Sequence, residues 1–176
     1  TVVREHGSWN GSNTDYYGFL SLVSEPLSNG RIRSAIVIGA GGAARAVVWA
    51  LRNKGVSVTI LNRTIENARR LALETGSSYA SLEDAGDYAG TAQLVVQASS
   101  AGMDEPAVDA ASSLEFDGDE IVCDMVYRPH ETAFLKRAIN AGCNVIHGLD
   151  MLLAQGKLQF KEFTGFEYPL DDFAVL

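Results

Sequence analysis

Six short groups of residues have types and spacings that could do chemistry. The first, Gly39-Ala40-Gly41-Gly42-Ala43-Ala44, follows the apolar run Ala35-Ile36-Val37-Ile38 and precedes a helix-forming stretch from Arg45 to Leu51. Strand, tight turn and helix in that order can cradle a pyrophosphate. Gly39 permits the turn, Gly41 lets backbone N–H groups approach an anion, and Ala44 stands where helix meets strand. The helix N-terminus adds partial positive charge. A glycine turn of this kind also suits plain packing, so the ligand has to be argued from the other groups.

The second group, Asn62-Arg63-Thr64, falls where a fold that prefers NAD places an Asp or Glu for the ribose 2′-hydroxyl. A guanidinium pairs with a 2′-phosphate and stacks on adenine, so the triplet points to NADP. The plain alternative is a solvated Arg63 and a Thr64 that only caps the next helix. Third, Gln97-Ala98-Ser99-Ser100-Ala101-Gly102-Met103 offers small residues that would let a nicotinamide ribose approach, or is simply a glycine-containing loop. Fourth, Asp124-Met125-Val126-Tyr127 puts a phenol just past a strand. Fifth, Gly148, Met151 and Gln155 share one face of a final helix, which either looks into a cleft or packs as core. Last, Asn13-Thr14-Asp15 opens an amphipathic stretch, where Asp15 is a candidate acid/base group or a complement to the helix dipole.

The elements that must position these groups alternate. An extended arm, Thr1 to Gly11, leads to a helix from Asn13 and a polar connector, Ser24 to Arg33. Strands are expected at Ala35–Ile38, Ser57–Leu61, Ser78–Ala80, Leu94–Val96, Ile121–Val126 and Asn144–Ile146. Helices are expected at Thr64–Thr75, Glu131–Ala141 and Gly148–Phe163. This pace implies an α/β fold, a Rossmann-like doubly wound parallel sheet with helices on both faces. Ligands of such sheets lie beyond the carboxyl ends of the strands, which is where the candidate groups fall.

Composition narrows the function classes. A net charge of −8 and a pI near 4.8 argue against a nucleic-acid footprint. The most apolar window, Ser34 to Leu51, is broken by glycines and Arg45, so no membrane span is expected, and no secretory leader is read. Cys123 and Cys143 read as small buried hydrophobes in a cytoplasmic protein. His6, His130 and His147 have no ligand spacing, so no metal is expected.

In order and spacing, Asn13-Thr14-Asp15, GAGGAAR, Asn62-Arg63-Thr64, Ser-Ser-x-Gly-Met at 99–103, Asp124-Met125-x-Tyr127 and Gly148-Leu149-x-Met151 with Gln155 resemble the shikimate dehydrogenases. The resemblance runs almost to Gly165. It implies NADP-dependent, reversible reduction of 3-dehydroshikimate to shikimate on the route to chorismate. It further implies that Asp15 is catalytic with a lysine, and that Asp15, Tyr127 and Gln155 bind the small-molecule substrate. The cofactor would be bound by Gly39, Ala40, Gly41, Gly42, Ala43, Asn62, Arg63, Thr64, Ser99, Ser100, Met103, Gly148 and Met151. The division expected is a connecting arm and helix at 1–30, a Rossmann NADP-binding core at 31–147, and a C-terminal helix and tail at 148–176. The two terminal pieces would pack at the substrate-domain side and return to the cleft; a homodimer is left open.

Three departures from the family pattern stand out. Nothing here matches its N-terminal substrate domain, with the Ser-x-Ser carboxylate site and the lysine, so that domain is expected in the same parent chain. Asn67 stands where a second basic residue is usual in the cofactor clamp, and Gln97 and Ser99 replace a common asparagine and threonine. The chain alone is therefore expected to bind NADP without appreciable turnover. Alternatives are a quinate-preferring relative, a non-catalytic NADP-binding module, or the cofactor domain of another dehydrogenase.

Overall fold

The computed structural model describes residues 1–5 and 7–169. His6 and the end of the predicted tail, 170–176, lie outside the described residues. At the centre is a parallel sheet of order β5-β4-β3-β6-β7-β8. Its strands are β3 (Ser34–Ile38), β4 (Ser57–Asn62), β5 (Ser78–Ser81), β6 (Leu94–Gln97), β7 (Ile121–Asp124) and β8 (Asn144–Ile146). The chain starts in the middle, winds to one edge, returns beside β3 and winds to the other. The strand order thus reverses between β3 and β6, and the crevice at their carboxyl ends is the natural ligand site.

The central strands are buried on both sides, which is why they read as continuous β-branched runs. Ala35 and Val37 point into one apolar layer, with α1 (Thr14–Leu22), α3 (Gly42–Asn53) and α4 (Ile65–Thr75). Ile36 and Ile38 point into the other, with α5 (Ala133–Ala141) and the segment around Ala110–Leu114. Burying a side chain such as Ile36 or Phe134 stabilises by about 1.5–3 kcal/mol before entropy is charged. The last helix, α6 (Gly148–Thr164), packs along α1. They approach so closely that a Cβ on Gly18 would lie 2.9 Å from the backbone nitrogen of Gln155. No helix among the described residues is long and apolar enough to cross a membrane.

Several boundaries differ from the sequence expectation for identifiable reasons. The arm is an antiparallel hairpin, β1 (Val2–Glu5) with β2 (Ser8–Gly11). It is tied to α6 by the Ser12 hydroxyl, which donates to the Glu162 carboxylate at 2.5 Å. The connector contains a short helix, α2 (Ser24–Ser28), and a 3-10 turn spans Leu82–Tyr88. β7 stops at Asp124, short of Val126, because the Asp124 side chain captures the Val126 N–H at 2.9 Å. α5 starts at Ala133 because Thr132 caps it, accepting from the Leu135 N–H at 3.1 Å. Cys123 is buried, but Cys143 is only half-buried and donates to Glu120. Burial pushes both thiols up, Cys143 to about 11 with Glu120 adding to it, so neither is a ready nucleophile.

Candidate functional site

The glycine turn leaves β3 at the reversal point. Gly39 has φ +112°, and a Cβ there would sit 2.9 Å from the backbone carbonyl of Ala98, so only glycine fits. Gly41 and Gly42 are different: a Cβ on either meets nothing within 4 Å. The chain's own packing does not demand them, and the open space lies beside the first turn of α3, whose N-cap Gly41 offers no side-chain cap. That is a cradle which a pyrophosphate could fill and a side chain would obstruct.

Beside the turn is a groove of about 140 Å³ lined by Gly39, Asn62, Arg63, Ser99 and Ser100, with Leu82 and Ala110. The Asn62 amide donates to the Thr64 carbonyl at 2.8 Å and so shapes the loop after β4. Thr64 is the N-cap residue of α4, yet its hydroxyl makes no cap bond. Arg63 is exposed and makes no hydrogen bond or ion pair among the described residues. Neighbouring cations are engaged: Arg45 pairs with Glu74, Arg69 with Glu66, and Arg70 bonds Asn67 at 3.2 Å. A free guanidinium and hydroxyls, with no carboxylate in the lining, suit a phosphate-bearing ligand.

A second depression, of about 240 Å³, joins Asp15, Tyr127, Gln155, Gly148 and Met151 to Ala43 of the glycine turn. Asp15 sits half-buried in the first turn of α1. The capping work there is done by Asn13, which accepts from the Tyr16 N–H at 3.1 Å, and Asp15 has no hydrogen-bond partner among the described residues. The Tyr127 hydroxyl is likewise unengaged among them. Gly148, Met151, Leu152 and Gln155 come from one face of α6, as the helical spacing requires. Gln155 turns its amide N–H onto its own helix, donating to Leu152 O at 3.0 Å. Gly148 is dictated by sterics, since a Cβ would meet the Val126 carbonyl oxygen at 2.3 Å.

Gly148 and Met151 therefore lie on the pocket with Asp15, not in the groove with Arg63. Ala40, Gly41, Gly42, Thr64 and Met103 line neither depression. Leu82, Ala110 and Leu152 are wall residues that sequence reading passed over, being apolar residues without a motif, while Met125 belongs to the Asp124–Tyr127 group. The structure also stacks two histidines that look scattered in sequence: His130 and His147 lie 4.3 Å apart with parallel rings. Parallel planes direct their nitrogens side by side, not at a common point, so the pair is no chelate.

Gln97 and Asp124 were also missed as a unit. They are register partners at the ends of β6 and β7, and both are fully buried. Burial pushes the Asp124 carboxyl above the usual carboxylate range, although Thr132 and Val126 donate to it. A raised folded value means that stability is fully present below the unfolded pKa of about 3.9 and is lost as pH rises through the folded value. Asp124→Asn removes this titration. Urea unfolding should find the variant gaining on the parent between pH 4 and pH 7, and a difference independent of pH would contradict the buried carboxylate.

Comparison with known proteins agrees with this fold. The family model described as shikimate / quinate 5-dehydrogenase matches residues 21–115. The NADP(+) shikimate dehydrogenase of Desulforamulus reducens is 41% identical over 184 residues, covering 97% of this chain and 63% of that protein. Among solved structures, the shikimate 5-dehydrogenase of Thermus thermophilus in complex with NADP(H) and shikimate is 41% identical. It gives a TM-score of 0.76, covering 94% of this chain and 62% of that one. The quinate dehydrogenase of Corynebacterium glutamicum in complex with NAD is 32% identical with a TM-score of 0.82, again over 94% and 62%. The chain thus spans about three-fifths of the length of the relatives it matches. With the doubly wound sheet, the glycine turn at its reversal point and the family match over more than half the residues, the chain belongs to the shikimate/quinate 5-dehydrogenase family.

Proposed function

We propose that this chain is the NADP-binding part of a shikimate dehydrogenase, which interconverts 3-dehydroshikimate and shikimate. The observation carrying this reading is that Ala43, from the glycine turn, shares one pocket with Asp15, Tyr127 and Gln155. A bound nicotinamide would supply hydride, and Ala43 sets the dinucleotide turn beside the pocket in which a substrate carbonyl would be held by Asp15, Tyr127 and Gln155. Asp15 accepts a substrate hydroxyl and orients a cationic proton donor, while Tyr127 and Gln155 hold the remaining hydroxyls. Lys54, Lys136, Lys157 and Lys161 do not line the pocket, so the donor comes from outside it. Residues 31–147 form the cofactor core, α1 and α6 flank the cleft, and a substrate domain of the same parent chain supplies the lysine and the carboxylate-binding serines. The match to three-fifths of the relatives' length supports this division. The unpaired Arg63 favours NADP over NAD.

A second reading, quinate as substrate, is favoured by the likeness to the Corynebacterium enzyme. One assay separates the two: NADP-linked oxidation of shikimate and quinate by the full-length parent and by the 176-residue chain. The parent oxidises shikimate, and the chain alone turns over slower by at least about 10²–10⁴, the contribution of the missing acid/base group alone, before the loss of the carboxylate-binding serines is added. Robust turnover by the isolated chain overturns the division of labour, and preference for quinate establishes the second reading.

A further inference from the structure

The groove and the pocket are built on two different loops, one after β6 and one after β7, and a single buried polar network holds both. Gln97 acts as a template for the first loop. Its amide oxygen accepts the Ser99 N–H at 2.6 Å, and its amide nitrogen donates to the carbonyls of Ser99 at 3.2 Å and Ala101 at 3.1 Å. The same nitrogen lies 3.4 Å from Asp124 Oδ1. Oδ1 also accepts the Val126 N–H at 2.9 Å, which sets the path of the second loop toward Tyr127. Oδ2 accepts the Thr132 hydroxyl at 2.5 Å. Thr132 in turn backs the first loop: a Cβ on Gly102 would stand 3.2 Å from Thr132 Cγ2.

Burying a carboxylate is expensive unless every lone pair is engaged, and this one has no ion-pair partner among the described residues. Apolar residues at both positions would avoid the cost, as they do at the adjoining Val96 and Cys123. Neither Gln97 nor Asp124 lines the groove or the pocket, so the cost is not explained by ligand contact.

We infer that Gln97, Asp124 and Thr132 are positioning residues that fix the cofactor-side loop Ser99–Gly102 and the substrate-side loop Met125–Tyr127 relative to one another. Disturbing the network from either strand loosens both walls. The ligand assignment of the two walls rests on the NADP reading given above; the mechanical coupling does not.

The test is run on the 176-residue chain with Asp124→Ala, Gln97→Met and, as a control, Val122→Ala, a core truncation on the same face of β7. Amide hydrogen exchange and NADP titration are measured well below the unfolding midpoint. In Asp124→Ala, the amides of Ser99 to Gly102, on the other strand's loop, should exchange about tenfold faster, the factor one net hydrogen bond carries. The Kd for NADP should rise by about the same factor. In Gln97→Met, the amides of Val126 and Tyr127 should loosen likewise, and this arm carries the test if Asp124→Ala does not fold. Val122→Ala should lower stability without either effect. Unchanged exchange in the opposite loop in the folded variants overturns the inference. Failure of the unsubstituted chain to bind NADP overturns the ligand reading instead, while the exchange data still decide the coupling.

Discussion

Gly148→Ala should lower the thermal unfolding midpoint by about 10 °C, the shift corresponding to about 3 kcal/mol in a domain of this size. The added methyl would meet the Val126 carbonyl oxygen at 2.3 Å, its carbon at 2.4 Å and the Tyr127 nitrogen at 2.7 Å. All three are backbone atoms, so no side chain can swing away. Either the start of α6 lifts off the sheet or the loop after β7 is displaced, and in both cases Met151 and Gln155 part from Tyr127. The companion substitution Gly156→Ala lies in the same helix, where a Cβ meets nothing within 4 Å. It should be neutral or stabilising by about 0.5–1 kcal/mol, because alanine loses less backbone entropy in a helix. Differential scanning calorimetry of the pair checks both. An unchanged midpoint for Gly148→Ala would mean that α6 does not start against Val126 as described.

Asp15→Asn in the full-length parent should reduce kcat for shikimate oxidation by about 10²–10⁴, the usual contribution of an acid/base group. The replacement keeps the side-chain volume. Folding should be spared, because Asn13 and not Asp15 caps α1. The half-buried carboxylate has no partner among the described residues, so its loss leaves nothing else unsatisfied. Steady-state kinetics with the thermal midpoint measured in parallel decides the matter. Full activity in the variant would return Asp15 to the bland role of complementing the helix dipole.

Much of this architecture was legible in the residues. Two-sided burial makes Ala35–Ile38 and Leu94–Val96 continuous apolar runs, and Gly76 and Gly142, both left-handed, close α4 and α5 where a glycine stop was expected. The helical repeat from Gly148 to Gln155 put those residues on one α6 face, while whether that face met a cleft or the core was left open until the pocket placed it. Side chains that redirect the backbone were not legible. Whether Asp124 ends β7 depends on its reaching Val126, and whether Thr132 starts α5 depends on its reaching Leu135, neither of which periodicity encodes. The hairpin was missed because β1 and β2 carry no buried stripe, β2 being exposed at every residue. Gln97 looked like a departure from a family pattern, and only three-dimensional register reveals that it faces Asp124 across the strands.

The glycine turn and Asn62-Arg63-Thr64 together should hold an NADP molecule without help from any other domain. Isothermal titration of the 176-residue chain and of Arg63→Ala with NADP and with NAD tests it directly. The unsubstituted chain should bind NADP at least about tenfold more tightly than NAD, the equivalent of one charge-assisted hydrogen bond, and Arg63→Ala should erase the difference while leaving NAD affinity nearly unchanged. Equal affinities for the two nucleotides in the unsubstituted chain, or binding of neither, would contradict it.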